Sequence, residues 1–292
     1  SQYPPFGSYI QIPPLLFSFV VMRLSQHVHS LNDFLLFLST HEGFFLFIPR
    51  VISALFGTAS LIVVYQIGKL IFPSQKQIAL WALMFSAFSI THLQISSLGK
   101  PNMPALFFLF IGIYYLCKDL RLKSSSGKQK VLSLVFFSLG GGFHFSSFFG
   151  VILYFLAYFV FYRKSPIFHR QNLISFTLLI IPLSFLVLLR FLSTGNYQPT
   201  FVETLNVLQY NLKWGLQNVA LFYLKELIFT EPVLTLFLGL SVFTFRSWPK
   251  IFSALFSFSI IFAIYIIASF YHSLRFFLPA VLMILGGIIF VS

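Results

Sequence analysis

Residues 50–69 read Arg50-Val-Ile-Ser-Ala-Leu-Phe-Gly-Thr-Ala-Ser-Leu-Ile-Val-Val-Tyr-Gln-Ile-Gly-Lys69. Between the two cations every side chain is uncharged, and at about 1.5 Å per helical residue the stretch crosses the ~30 Å hydrocarbon core of a bilayer. The same pattern recurs outward from it along the chain. Of 292 residues, 58% are hydrophobic and 9% charged, with a mean hydropathy of +0.90. A water-soluble domain carries about 25% charged residues, so a water-solvated fold is excluded. The net charge of +13 would point to nucleic acid in a soluble protein. Here the cations sit in short loops between apolar runs, as membrane topology requires, and nucleic acid is excluded as a partner. The single cysteine, Cys117, forms no internal disulfide or thiolate metal site and reads as a small apolar filler.

These features predict an all-α, polytopic transmembrane helix bundle of about nine spans with interfacial helices on the outer side. The predicted spans are 50–70, 78–96, 103–117, 131–143, 146–162, 173–191, 232–245, 251–270 and 276–291. Residues 131–162 divide in two because both flanks are basic and share a side, with Gly140-Gly141-Gly142 followed by His144, Ser146 and Ser147 as the predicted flexible polar turn. Lys69, Lys76, the cations of 118–130, Arg163, Lys164, Arg170, Arg246 and Lys250 then fall on one side. Arg23, Arg50, Lys100, Arg190, Lys213, Lys225 and Arg275 fall on the other. The first set is the larger, which makes its side cytoplasmic by the positive-inside rule. Residues 1–49 form an outer juxtamembrane segment and 50–292 the bundle. Within 9–48, helices lying on the outer surface and a short hairpin reaching inward are both compatible with the pattern. In the outer segment 193–231, Pro199-Thr200 with Glu203 opens an amphipathic helix suited to the membrane interface. The chain starts without an initiator Met and stops inside an apolar run, and reads as a fragment with an N-terminal span and a C-terminal part missing.

Charges near a membrane that topology does not explain are functional candidates. Arg50, Lys100 and Arg275, with His92, His144 and His272 at similar depth, each lie at the outer end of a different predicted span. A bundle that gathers them binds an anion at headgroup depth, such as a lipid phosphate or pyrophosphate. The bland alternatives are an arginine that snorkels from a helix end and histidines that merely pack or bond water. No Walker loop, dinucleotide fingerprint, HExxH, GxSxG or metal-spaced His/Cys cluster is present, so no metal site and no cofactor are expected, with divalent-metal dependence open.

Four stretches, in order, carry a resemblance: Tyr3-Pro4-Pro5-Phe6; Pro49-Arg50-Val51-Ile52-Ser53-Ala54-Leu55-Phe56-Gly57 continuing to Tyr65-Gln66-Ile67-Gly68-Lys69; Gly99-Lys100-Pro101-Asn102-Met103-Pro104; and Leu274-Arg275-Phe276-Phe277-Leu278-Pro279. Together they resemble the GT-C class of polytopic membrane glycosyltransferases, in particular the protein O-mannosyltransferase and lipid A aminoarabinose transferase group. The resemblance implies a polyprenyl-phosphate-linked sugar as donor and a protein, lipid or glycan as acceptor, with inverting transfer at the exoplasmic face. It implies a multi-pass protein of the bacterial cytoplasmic membrane rather than the endoplasmic reticulum. Arg50 and Arg275 would then contact the lipid phosphate with Lys100 near it, and Tyr3, Pro5, Asn102, His144 and His272 would line the substrate site. The catalytic acid of such enzymes is expected upstream of Tyr3, so no catalytic residue is assigned within the chain. Asn102 stands where related sequences carry Asp; an amide accepts a hydrogen bond but neither takes a proton nor balances a cation.

Two rival functions share the outward cations: a flippase or transporter of a lipid-linked saccharide, and a non-catalytic membrane subunit. A transporter calls for polar groups deep within its spans, whereas these centres are almost purely Phe, Leu, Ile and Val. The subunit is favoured by Asn102 and by the missing acid.

Overall fold

The computed structural model describes residues 9–122 and 128–143, the helical positions Gly150, Val151, Leu153, Tyr154 and Ala157, and Lys225 and Phe229. Among the described residues the regular structure is α-helix throughout, with no strand. The elements are α1 (Ile12–Leu24), α2 (Leu31–Thr40), α3 (Glu42–Ile71), α4 (Lys76–Phe88), α5 (Ile90–Ser97), α6 (Asn102–Leu122) and α7 (Lys128–Phe143). Two stretches, Glu42–Ile71 and Asn102–Arg121, are long and apolar enough to cross a membrane. In a bilayer core a helix satisfies its backbone groups internally, which is why apolar runs of this length take no other form.

Within residues 9–48, Ile12–Leu24 and Leu31–Thr40 are short helices, each well below the length of a span, and the stretch from Glu42 already belongs to α3. Ser30 caps α2 through a reciprocal box: its hydroxyl accepts from the Asp33 amide at 3.1 Å, and the Asp33 carboxylate accepts from the Ser30 amide at 2.9 Å. Phe19 of α1 packs on Phe34 of α2 with ring centroids 5.4 Å apart, while Leu16, Phe17, Val20 and Leu24 remain exposed.

The helix α3 begins eight residues before Arg50, running through Pro49 without a break. Its buried positions include Ser53, Gly57, Ser60 and Gly68, a seam of small residues that lets neighbouring backbones come close. At Gly68 a Cβ would stand 2.9 Å from the Cα of Ala79 on α4. At Gly57 a Cβ would meet Ser96 on α5, and Met103 Cε at 3.2 Å. From these two contacts α4 and α5 together run antiparallel to α3. The predicted span 78–96 is therefore two helices. Ser89, extended at φ −61° and ψ 121°, breaks it and caps α5 by accepting the His92 amide at 3.2 Å. Local hydrogen bonding by a serine side chain competes with helix continuation, and periodicity alone does not register it.

The most enclosed element is α6, with Met103, Leu109, Phe110, Ile113, Leu116 and Cys117 all buried between α3 and α7. Ser133 of α7 donates its hydroxyl to the Gly112 carbonyl at 2.9 Å, and the Phe137 ring is wedged between Gly112 and Gly150. The glycines of the predicted turn, Gly140–Gly142, are helical, α7 ends at Phe143 where the predicted span 131–143 ends, and the rest of that turn, His144, Ser146 and Ser147, lies outside the described residues. All three glycines are buried within α7, which stays helical to Phe143. In an apolar environment the hydrogen-bonded backbone outweighs the entropy glycine gains by leaving the helix. The predicted spans from 173 onward, the amphipathic segment 193–231, His144, His272 and Arg275 lie outside the described residues, as do Tyr3 and Pro5.

Candidate functional site

The site is built where α3 meets the α5–α6 connection. Leu98 ends α5, and Gly99 adopts a left-handed conformation at φ +65°. A Cβ on Gly99 would lie 3.1 Å from the Arg50 nitrogen and 3.2 Å from both the Arg50 Cγ and the Pro49 carbonyl carbon. Only glycine meets both demands, the positive φ and the close approach. One residue on, the Lys100 carbonyl accepts a hydrogen bond from the Ser53 hydroxyl at 3.0 Å. Arg50 and Lys100 are thus held side by side through their backbones, Arg50 exposed and Lys100 half-buried. Asn102 opens α6 two residues later, and its side-chain oxygen is buried with no hydrogen-bond partner among the described residues.

Behind this rim lies a buried polar layer. The Gly57 carbonyl accepts from the Ser60 hydroxyl at 2.7 Å. Ser96 donates to the His92 carbonyl at 2.7 Å and packs on Gly57. His92 is only 3% exposed, and its Nδ1 has no partner among the described residues.

Of the site residues predicted from sequence, the structure brings together Arg50, Lys100 and Asn102. Ser53 and Gly99, which make that junction, were not singled out as functional. Their signal was present in the small-residue spacing of Ser53, Gly57 and Ser60, and in a glycine directly before the Lys-Pro pair. At the other end of the bundle the Arg121 guanidinium donates to the Leu70 carbonyl at 3.2 Å. There Lys69 lies 5.4 Å over the Tyr65 ring and Lys118 lies 5.9 Å over Tyr114. Lys76 and Lys128 open helices at the same end. Among the described residues, Lys69, Lys76, Lys118, Arg121 and Lys128 thus lie at the end opposite Arg50 and Lys100. Among the described residues no group of three or more His, Cys, Asp or Glu side chains gathers as a metal site.

A helical bundle with membrane-length apolar helices, carrying one Arg–Lys junction set apart from its main basic end, defines an integral membrane protein with a polar rim at one face. The family model described as dolichyl-phosphate-mannose-protein mannosyltransferase matches residues 34–190, more than half of the chain, and the chain belongs to that family. It is a membrane glycosyltransferase of the mannosyltransferase type. Neither a curated protein nor a solved structure matches the chain. The matched segment contains Arg50, Lys100 and Asn102.

Proposed function

We propose that the chain transfers a sugar, mannose by the family's description, from a polyprenyl phosphate to a protein acceptor at the exoplasmic face, and that Arg50 and Lys100 hold the donor phosphate. The observation that carries this is the Arg50–Lys100 junction: Gly99 laid on the Arg50 backbone and Ser53 bonded to the Lys100 carbonyl. Two cations whose backbones are held together at one rim offer a phosphate charge-assisted contacts from neighbouring positions.

In the transfer, the bond between the anomeric carbon and the phosphate oxygen breaks while the oxygen of an acceptor hydroxyl forms the new bond to that carbon, its proton passing to a general base that is not assigned among the residues of this chain. The electron pair of the broken bond leaves on the lipid phosphate, which gains negative charge. Cations already in place stabilise that charge more in the transition state than in the ground state, and a water-poor membrane rim strengthens them. Asn102, with its buried and unpartnered oxygen, offers a hydrogen-bond acceptor to a donor hydroxyl beside them. Arg275 from the late Arg-Phe-Phe-Leu-Pro stretch is proposed as a third phosphate contact. The exoplasmic assignment follows from the heavier basic end, Lys69 through Lys130, facing the cytoplasm.

The test is transfer from a polyprenyl-phosphate-linked mannose by the reconstituted full-length protein and by its Arg50→Ala and Lys100→Ala variants. Each substitution is expected to lower kcat/KM on the order of 10²-fold, the cost of removing one fixed donor to a developing oxyanion. Turnover within about twofold of the parent in both folded variants would remove this pair from the phosphate site.

A further inference from the structure

We propose that the seam between α3 and α6 at the basic end of the bundle binds the phosphate of an anionic phospholipid through Lys69, Lys118 and Arg121. It lies at the end opposite the donor site and does not depend on it.

Two contacts fix the seam. The Ser53 hydroxyl meets the Lys100 carbonyl at one end and the Arg121 guanidinium meets the Leu70 carbonyl at the other, so α3 and α6 run parallel. Lys69 directly precedes Leu70, and Lys118 lies one turn before Arg121 on the same face of α6. Counting back from the Arg121–Leu70 contact at about 1.5 Å per residue puts both lysines within about one turn of the same depth. Each follows a tyrosine by one turn, and each ammonium stands over that tyrosine's ring, at 5.4 Å for Lys69 on Tyr65 and 5.9 Å for Lys118 on Tyr114.

A lysine that only marks topology extends its ammonium away from hydrocarbon into water. These two fold the other way. Helix geometry tilts each side chain toward the N-terminus, and both helices run toward this end, so the two tyrosines stand one turn deeper than their lysines. The ammonium groups are thereby drawn to the apolar side of the interface, where a lipid phosphate is at hand and bulk water is not. Arg121 is exposed, and its bond to Leu70 uses one of the five N–H donors of a guanidinium. Asp119, the one acid at this end among the described residues, is buried and leaves the surface of the seam cationic.

What adjoins Lys69 favours a lipid over a free phosphate. Leu55, Ile62 and Lys69 follow one another at steps of seven on α3 and are all exposed, an apolar track for an acyl chain that ends on a cation. A soluble anion has no use for such a track.

The test is thermal unfolding of the full-length protein in nanodiscs of phosphatidylcholine with and without phosphatidylglycerol. Phosphatidylglycerol is expected to raise the melting temperature by about 3–5 °C. In Lys69→Gln and in Arg121→Gln that difference between lipids should fall to about half or less, whereas Lys128→Gln, exposed at the start of α7, should keep it. Because each variant is compared with itself in the two lipids, any cost of losing the Arg121–Leu70 bond cancels. Lys69→Gln leaves that bond in place and serves should Arg121→Gln fail to fold. Glycerol 3-phosphate added to phosphatidylcholine discs should shift nothing.

Equal melting temperatures in the two lipids overturn the site, and so does a difference that survives in both Lys69→Gln and Arg121→Gln. A loss in Lys128→Gln as large as in Lys69→Gln also overturns it, since that pattern means diffuse attraction to net positive charge. A shift with glycerol 3-phosphate equal to that with phosphatidylglycerol overturns the lipid as occupant and makes a soluble anion the ligand.

Discussion

Gly99 carries more of the site than any charged residue does. Its φ of +65° costs a non-glycine side chain about 1–2 kcal/mol, and its missing Cβ leaves room for the Arg50 and Pro49 backbones at 3.1–3.2 Å. Backbone atoms inside a helix cannot swing aside as a side chain would. Gly99→Ala is therefore expected to lose at least about 1–2 kcal/mol of stability and to push Lys100 off Arg50. Thermal unfolding in detergent and the donor KM check the two halves of that expectation. From the sequence, Lys100 and Arg50 stood out because cations on the sparsely basic side need a reason to be there. Gly99 did not, because its constraint comes from a helix about fifty residues earlier in the chain and leaves no local mark.

Among the elements, helix pairing depends on glycines that receive a neighbour's side chain. Phe137, fully buried, projects onto Gly112 and Gly150, where a Cβ would meet its ring. Gly112→Ala and Gly112→Leu should therefore destabilise in graded fashion, the leucine by about 1–3 kcal/mol, as overpacked cores do. A melting temperature unchanged by the leucine would mean that α6 and α7 do not pack this way. At the start of α2, the Ser30 hydroxyl, followed by the His29 and Ser30 amides, holds the Asp33 carboxyl below the usual carboxylate range. A depressed folded-state value means the cap contributes above the ordinary pKa of about 4 and is lost as pH falls through the lower folded value. Amide exchange in residues 31–40, corrected for intrinsic rate, should accelerate over that acid window, and Ser30→Ala should accelerate it already at neutral pH. The capping box was legible in Ser30 and Asp33 once the helix boundary was known. The break at Ser89 and the helical glycines 140–142 were not, because a serine or glycine inside an apolar run reads equally as turn, cap or packing surface until its neighbours are known.

For the whole molecule, the arrangement of charge sets the orientation. Arg121 bonded to the Leu70 carbonyl and Ser53 bonded to the Lys100 carbonyl mark opposite ends of the described bundle, with Lys69 and Lys118 at the first end and Arg50 and Lys100 at the second. Ser74 and Ser97 are exposed, one near each end, and the native Cys117 is buried. In right-side-out vesicles an impermeant maleimide should label Ser97→Cys directly and Ser74→Cys only after permeabilisation. The opposite pattern would put the Arg50–Lys100 rim on the cytoplasmic face and end the exoplasmic proposal.

Composition and periodicity by themselves determined that this chain is helical and lives in a membrane. Each of those properties follows from the bilayer acting on single segments, through the cost of exposed backbone and of charge in hydrocarbon. Only the tertiary structure decided that Gly99 lies on Arg50, that Ser96 seats against Gly57 and that the second predicted span is two helices. Those are contacts between segments, governed by the shape and hydrogen bonding of surfaces that meet after the helices pack, and no stretch of chain encodes them alone.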